Sequence, residues 1–582
     1  MDSDRQQAPG AHPLTRPSPS IDPHLSNSRT VRLALWGAVA LGVLLAAWPA
    51  GLGADWLWGS AVGETDNHLW MFWWATRRLG GGGEGLVNMP EGLTLPLMDP
   101  VNLPIFAALL GLGPLVAWQG MLLWNVLLAA IGGGVLGREL AGEPGAAAGA
   151  LCLATAAPLW GVIDFGITEA WPVGWLALHL ALLIGLGRRG GWLRAIGAGL
   201  TLGLTALSGW YLAVFALLIE LVVVSALLLR WRRPALLLQG GIALLMVLPR
   251  FLDFLGQRGL WAHRWMPPSP GPPGPRPDWD SLPVAGTDLL NLVWPHLAAV
   301  RPSKASYLGL VAVILAGIGL RKGGRMGWLF GAAALPLIVL ALGYWPTVAG
   351  RAIGLPGPAF WLVQAWPALL GLSHWERAVG ALLPLFAGLV ALGARALPVR
   401  LLPAVLLLLA ADATLLSPTP WPREGFVARL PPGLDALPGE GGVVLLPFDN
   451  GREPFSEEPA RLYNRYQVLA DRPVSENYEG IDALLVASPL VGALDAACGV
   501  PTTLPPYYQP PPAARNPTMP TGAAMEAAVA DLRSWGFTHI FLTRGRCRVA
   551  PRAIQVANAT FGLGQTTAAG DWIWPIALPE GG

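Results

Sequence analysis

Apolar runs long enough, or almost long enough, to cross a lipid bilayer as helices dominate this chain. Only 13% of its residues are charged, about half the share of an average soluble protein. The sequence therefore predicts a polytopic α-helical membrane protein with about 11 transmembrane helices. The runs are 33–53, 115–137, 145–163, 172–187, 195–208, 210–229, 235–251, 307–320, 326–343, 378–394 and 401–417.

Lys and Arg residues are concentrated in alternate short loops, and this asymmetry predicts the orientation of the chain. The basic loops are 138–144, 188–194, 230–233, 321–325 and 395–400. Short basic loops face the cytoplasm, so we expect a cytoplasmic N-terminus and a location in the cytoplasmic (inner) membrane. Counting 101–114 as a further span would invert every later loop, so that segment is predicted to lie at the outer interface. Residues 195–229 are predicted as two spans, with one tilted helix as the alternative.

Three regions follow from this pattern. Residues 1–30 are polar and predict a disordered cytoplasmic tail. Residues 31–417 form the transmembrane domain, whose outer loops include 54–114 and the proline-rich 252–306. Residues 418–582 have a globular composition and predict an extracytoplasmic α/β domain. Within it GGVVLLPF and FTHIFLT are typical of strands, AAMEAAVADLRSWG of a helix, and GQTTAAGDWIWPI of a closing hairpin.

Two of the three cysteines, Cys498 and Cys547, fall in the predicted outer domain. An oxidising compartment would allow them to form a disulfide. Two free thiols are the alternative, because no spacing rule fixes the pair.

The segment GETDNHLW places acidic residues directly after the first predicted span. Glu64 and Asp66 face one cavity if the segment is extended, whereas a helix would send them to different sides. Tryptophans shield them from bulk water, which raises the proton affinity of a carboxylate and suits it to general-base catalysis. The alternative is that Asp66 caps the following helix. His68 is predicted to be a bystander.

A second acidic pair, Asp164 and Glu169, falls in the next predicted outer loop, 164–171. These carboxylates are candidates for a metal site or for orienting an acceptor, and a solvated loop is the alternative. Cations of the same face are candidates for binding a lipid phosphate, with membrane-surface anchoring as the alternative. They are Arg301, Lys304, His374 and Arg377.

Other ligand classes receive little support. A net charge of +2 gives no basic field for nucleic acid, so no nucleic-acid partner is expected. The cofactor is unknown: a divalent metal (Mg or Mn) and no metal at all both stay open. Glu220 and His179 lie inside predicted spans, where interhelical hydrogen bonds are favoured over a proton path.

Several of these segments resemble the GT-C superfold, the polytopic glycosyltransferases that use polyprenyl-phosphate-linked sugars. The resemblance is carried by GETDNHLWMFWW, NMPEGLTLPLMDPVNLP, FGITEAW, YLGL and HWERAV. It implies a sugar transferase at the outer face of the membrane, with Asp66 as the inverting base and Glu64 beside it. It further implies that Arg377, with Lys304 or Arg301, stabilises the departing lipid phosphate.

The partners implied by this resemblance are a polyprenyl-phosphate sugar donor, membrane lipid and a glycan, lipid or protein acceptor. The chain lacks a WWDYG-type signature, because the WW at 73–74 is followed by Ala75 and Thr76. Transfer of a single sugar or short glycan is therefore expected. The alternative is a non-catalytic GT-C-like scaffold or a transporter of lipid-linked glycan.

Overall fold

A computed structural model describes residues 29–576 with internal gaps. The gaps are 49–54, 61–62, 81–98, 266–285, 296–304, 367–368, 370–371, 373, 436, 438–440, 448–461, 478–479, 482–484, 486–487, 499–518, 545–546 and 548. The predicted tail 1–30 therefore lies almost wholly outside the described residues, as does the proline-rich part of the loop 252–306.

The apolar runs form a helical bundle in which each of the 11 predicted runs overlaps a helix. The helices of this part are α1 (Arg29–Ala46), α2 (Thr65–Leu79), α3 (Leu103–Leu109), α4 (Pro114–Ala154), α5 (Ala157–Phe165), α6 (Val173–Arg189), α7 (Trp192–Ser208), α8 (Trp210–Trp231), α9 (Ala235–Trp265), α10 (Leu310–Lys322), α11 (Gly324–Ala341), α12 (Pro358–Ala365), α13 (Ala378–Ala394) and α14 (Leu402–Leu415).

Seven helical segments of the described chain are long and apolar enough to cross a membrane, which makes this a multi-pass membrane protein. The longest, Pro114–Phe165, contains two of the predicted runs. Helices α7, α10 and α14 are shorter, so the count of 11 crossings stays a prediction. Helix α9 continues beyond the predicted end of its run at 251, as far as Trp265.

Helix α4 folds back on itself at Gly142, whose φ of 70° interrupts the helical geometry. Its two arms pack tightly at glycines: a Cβ on Gly137 would overlap the carbonyl of Gly145, and one on Gly133 would overlap that of Gly149. Small residues at these contacts let the backbones approach closely.

The chain breaks at Gly209, which separates α7 from α8 in an extended conformation with φ −174°. Two helices are therefore present where two spans were predicted. Helices α6 to α9 are joined by a buried polar network. Glu220 accepts a hydrogen bond from Gln239 at 2.7 Å and lies 2.6 Å from His179 Nε2. The other ring nitrogen of His179 is 2.8 Å from the carbonyl oxygen of Ala198.

The C-terminal region contains each element that was predicted for it. Its four-stranded sheet has the order β5-β8-β10-β9, with β5 parallel to β8 and the other neighbours antiparallel. Its status as a separate extracytoplasmic domain stays a prediction. The elements are β4 (Gly425–Val427), β5 (Gly442–Leu446), α15 (Leu462–Ala470), β6 (Glu476–Asn477), β7 (Gly480–Ile481), α16 (Pro489–Ala497), α17 (Ala523–Ser534), β8 (Phe537–Leu542), α18 (Ala550–Phe561), β9 (Gln565–Thr566) and β10 (Trp572–Pro575).

Short strands fix loops near the helical bundle. Strand β1 (Trp56–Trp58) of the first outer loop pairs antiparallel with β4, so that Leu57 lies opposite Phe426. This pairing brings the start of the C-terminal region beside the acidic segment at 64–68. A second pair, β2 (Thr347–Val348) with β3 (Arg351–Ala352), forms a hairpin in the loop before α12.

Candidate functional site

The acidic segment of the first outer loop is helical. Helix α2 begins at Thr65, with Glu64 at the N-cap position and Asp66 in the first turn. A carboxylate in the first turn interacts favourably with the helix dipole, but Asp66 is not the capping residue. Glu64 accepts a hydrogen bond from Asn67 Nδ2 at 2.7 Å. Because Asp66 and His68 are two helical positions apart, they lie on roughly opposite sides of α2.

Asp66 faces helix α15 of the C-terminal region. Its Oδ1 atom lies 3.6 Å from Nε of Arg465, and both side chains are about 95% buried. Burial raises the pKa of Asp66 to about 6, while the positive charge of Arg465 opposes that shift. At pH 7 most of the carboxylate is ionised and able to accept a proton, as a general base requires.

His68 faces the second acidic loop. Its Nδ1 atom forms a 2.8 Å hydrogen bond with the hydroxyl of Thr168, and its Nε2 atom is 3.8 Å from Oε2 of Glu169. The other oxygen of Glu169 accepts a 2.8 Å hydrogen bond from Arg377. The guanidinium of Arg377 also stacks on Tyr211, with 4.5 Å from Cζ to the ring centroid. Thus His68 contacts the predicted site residue Glu169 instead of being a bystander.

A mostly apolar pocket opens beside Glu169 and Arg377, between helices α5, α6, α8 and α13. Its polar lining consists of Glu169, Tyr211, Glu376 and Arg377. His374 lies next to this group, with Nδ1 2.9 Å from Oε1 of Glu376. The apolar lining residues are Pro158, Leu159, Val162, Ala170, Val173, Leu212, Ala305, Val379, Gly380 and Leu383.

Asp164 does not join this group, although it was predicted to pair with Glu169. Its Oδ2 atom accepts a 3.2 Å hydrogen bond from Arg423 Nη1, and both side chains are buried. Arg423 stacks on Trp160, with 4.4 Å from Cζ to the ring centroid, and its Nε donates to the carbonyl of Ala46 at 2.7 Å. Burial lowers the pKa of Arg423, and the Asp164 carboxylate opposes that shift. The second acidic loop therefore has two separate environments.

Asp99 is a third buried acid, which the sequence did not single out. Its Oδ2 atom accepts a 2.7 Å hydrogen bond from Asn102 Nδ2, and Asn102 in turn accepts one of 2.9 Å from Asn125. Burial raises the pKa of Asp99 well above its usual range, and the nearby charge of Glu169 adds to the shift. Asp99 is thus a protonated neighbour of the Glu169 group at neutral pH. The sequence signal was its place in NMPEGLTLPLMDPVNLP.

The structure brings together Glu169, Arg377 and His374 from the predicted set, with Asp66 on the other side of α2. Arg301 and Lys304 lie outside the described residues. Cys498 and Cys547 are joined as a disulfide. The sequence missed the two buried cations that face the predicted acids, Arg423 and Arg465.

In the part of the chain that the structure describes, no group of three or more His, Cys, Asp or Glu side chains is arranged to hold a metal ion. Asp164 and Glu169, the candidates from the sequence, instead contact Arg423 and Arg377 respectively. The described residues therefore do not fit a metal centre of their own.

No protein-family model and no curated protein matches the chain. Its fold is similar to three solved structures. They are ArnT from Cupriavidus metallidurans (13% identity, 94% of this chain and 98% of that chain, TM-score 0.44), the Archaeoglobus fulgidus oligosaccharyltransferase (12%, 88% and 69%, 0.43) and the arabinofuranosyltransferase AftD from Mycobacteria (14%, 94% and 42%, 0.46). With every TM-score below 0.5, these likenesses assign no function to this chain. All three proteins have the GT-C superfold, which is also the superfold that the sequence resembles.

Proposed function

We propose that this protein is a membrane glycosyltransferase that moves a sugar from a polyprenyl-phosphate donor to an acceptor at the outer face of the cytoplasmic membrane. The observation that carries the proposal is the pocket beside Arg377, which combines apolar walls with a guanidinium held in place. An apolar pocket between membrane helices suits a lipid chain, and a guanidinium suits its phosphate. The acceptor, which is a glycan, a lipid or a protein, would enter from the outer side.

Arg377 is the proposed phosphate-binding residue. Its side chain is 16% exposed, held on one side by Glu169 and stacked on Tyr211. A guanidinium has five N–H donors, so binding to Glu169 leaves others for phosphate oxygens. Because these contacts fix the guanidinium before the donor arrives, little side-chain entropy is lost on binding. His374 is a proposed second cation through its contact with Glu376.

Asp66 is the proposed general base. It would take the proton of the acceptor hydroxyl while that oxygen attacks the anomeric carbon of the sugar. The new bond forms as the bond from the anomeric carbon to the phosphate oxygen breaks, and polyprenyl phosphate leaves with the electron pair. Arg377 would stabilise the charge on that phosphate. Attack from the face opposite the leaving group inverts the anomeric centre.

This arrangement assigns the two sides of α2 to the two substrates. The donor would approach from the membrane side, where His68 contacts Glu169 beside the pocket. The acceptor would approach from the side of α15, toward which Asp66 points. Glu64, at the start of the same helix, is the proposed neighbouring carboxylate that fixes Asn67. Glu169 is the competing candidate for the base, because it lines the pocket itself.

The test is transfer of radiolabel from polyprenyl-phosphate sugars to acceptors in membrane extracts, with release of the lipid phosphate followed in parallel. Wild type is expected to transfer label, Arg377→Met to lose most activity, and Asp66→Asn to lose more than Glu169→Gln. A loss confined to Glu169→Gln would reassign the base. Absence of transfer by wild type from every donor tried would favour the scaffold or transporter alternative.

A further inference from the structure

The proposed base is enclosed by a helix of the C-terminal region. Two neutral hydrogen bonds join α2 to α15: Asn464 Nδ2 donates to Asn67 Oδ1 at 2.7 Å, and Trp70 Nε1 donates to Gln467 Oε1 at 2.6 Å. An exposed ion pair between Arg77 and Asp471 closes the outer end of the interface. The buried pair of Asp66 and Arg465 lies at its inner end.

Arg465 is fixed at this interface by more than its charge. Its guanidinium lies over the ring of Phe426, with 4.7 Å from Cζ to the centroid. Phe426 belongs to β4, and β4 pairs with β1 in the first outer loop. Three segments distant in sequence therefore fix one cation against one carboxylate. The Nε atom of Arg465 and the Oδ1 atom of Asp66 are buried, and neither has a hydrogen-bond partner in the structure.

We infer that Arg465 is a positioning residue for sugar transfer: helix α15 supplies the charge that keeps the Asp66 carboxylate ionised and aimed at the acceptor. This inference rests on the proposed function, in which Asp66 is the base. It gives the C-terminal region a direct part in the reaction. Movement of α15 away from α2 would then switch the base off by allowing it to take a proton.

The charges around Asp66 are consistent with this role. Glu64 and His68 lie within two positions of Asp66 on its own turn, and Glu169 lies beyond His68. Helix α3, which also packs against α2, has no titratable side chain in its sequence LPIFAAL. Burial raises the pKa of Asp66, and Arg465 is the cation that lowers it. Loss of this cation would therefore raise the pKa further and leave Asp66 protonated at neutral pH.

The experiment compares the pH dependence of transfer in wild type, Arg465→Met, Arg465→Lys and Asn464→Ala. Arg465→Met removes the charge but keeps most of the length. We expect the acid limb of its pH profile to move up by at least about one unit, which means about tenfold less activity on the acid side and recovery at high pH. Arg465→Lys should keep the limb near that of wild type. Asn464→Ala removes a neutral bond between the same helices and should not shift the limb.

A readout independent of activity is the infrared titration of the Asp66 carboxyl in aspartate-labelled protein, identified by subtracting the Asp66→Asn variant. The midpoint should rise in Arg465→Met and stay close to wild type in Asn464→Ala. An equal loss of activity at every pH in both variants would show that α15 acts through packing alone, and so would an unchanged infrared midpoint. Either result overturns the inference but leaves the proposed function intact. If wild type transfers no sugar, the proposed function fails, while the titration still decides whether Arg465 controls Asp66.

Discussion

Arg423 Nη1 lies 3.2 Å from Asp164 Oδ2, and this buried pair joins the second outer loop to the chain that follows the last helix of the bundle. Asp164 was predicted as a ligand for a metal or an acceptor, but its partner is a structural cation. Removing one member of a buried ion pair leaves the other uncompensated, at a cost of about 3–5 kcal/mol.

We therefore expect Asp164→Asn to destabilise the protein by a few kcal/mol, measured as a lower thermal midpoint in detergent. The matched control is Asp55→Asn, because Asp55 also pairs with an arginine, Arg429, but at the exposed surface. Exposed pairs contribute little, so this control should melt close to wild type. Equal melting of both variants would show that the buried pair is not structural.

The contacts of Arg377 predict that lysine cannot replace it. A lysine keeps the charge but loses both the planar stack on Tyr211 and the multiple donors of the guanidinium. Arg377→Lys should raise KM for the polyprenyl-phosphate donor by roughly tenfold or more, which corresponds to about 1.4 kcal/mol. Tyr211→Phe retains a stacking ring and should stay close to wild type. A donor KM unchanged in Arg377→Lys would remove Arg377 from the phosphate site.

Asp99 is predicted to tolerate an amide but not a methyl group. Its raised pKa means that the neutral form is the one present at neutral pH, and asparagine has nearly the same shape. Asp99→Ala would instead leave Asn102 without its buried partner, a loss of about 1–3 kcal/mol. Chemical denaturation in detergent should therefore place Asp99→Asn near wild type and Asp99→Ala well below it. The opposite order would mean that the Asp99 carboxylate is ionised in the folded protein.

The hairpin of α4 is predicted to depend on Gly137. A methyl group there would overlap the carbonyl of Gly145 and force the two arms apart, at a cost of about 1–3 kcal/mol. The control is Gly317→Ala in α10, where an added Cβ meets nothing within 4 Å. That change should be neutral or stabilising because alanine favours helix. Thermal unfolding of both variants in detergent separates the effects, and an unaffected Gly137→Ala would contradict the tight packing.

The helical elements could be read from the sequence because long apolar runs leave few alternatives to a helix in lipid. The break at Gly209 followed from the same pattern. The partners of the acids could not be predicted in this way. Asn67 and Asn464 are 397 residues apart, and nothing local to GETDNHLW indicates that α15 packs on it. Arg423 and Arg465 read as ordinary surface arginines until the fold buries them against Asp164 and Asp66.

The distribution of acids around α2 also required the structure. The sequence left open whether Glu64 and Asp66 share a cavity, since this depends on whether the segment is extended or helical. Because α2 begins at Thr65, Asp66 and His68 point to different sides, and His68 reaches Glu169. The candidate site is therefore wider than the single acidic edge that the sequence predicted, with a lipid-facing group around Arg377 and an outer group around Asp66.

The most direct test of the central claim is the rate of sugar transfer by purified Asp66→Asn in proteoliposomes containing a polyprenyl-phosphate sugar. The control is Asp471→Asn, which changes an exposed carboxylate at the same interface between α2 and α15. Loss of a general base reduces the rate by about 10²–10⁴-fold. We expect Asp66→Asn to fall by at least about a hundredfold while Asp471→Asn stays within about twofold of wild type. Transfer by Asp66→Asn at the wild-type rate would contradict the assignment of Asp66 as the catalytic base.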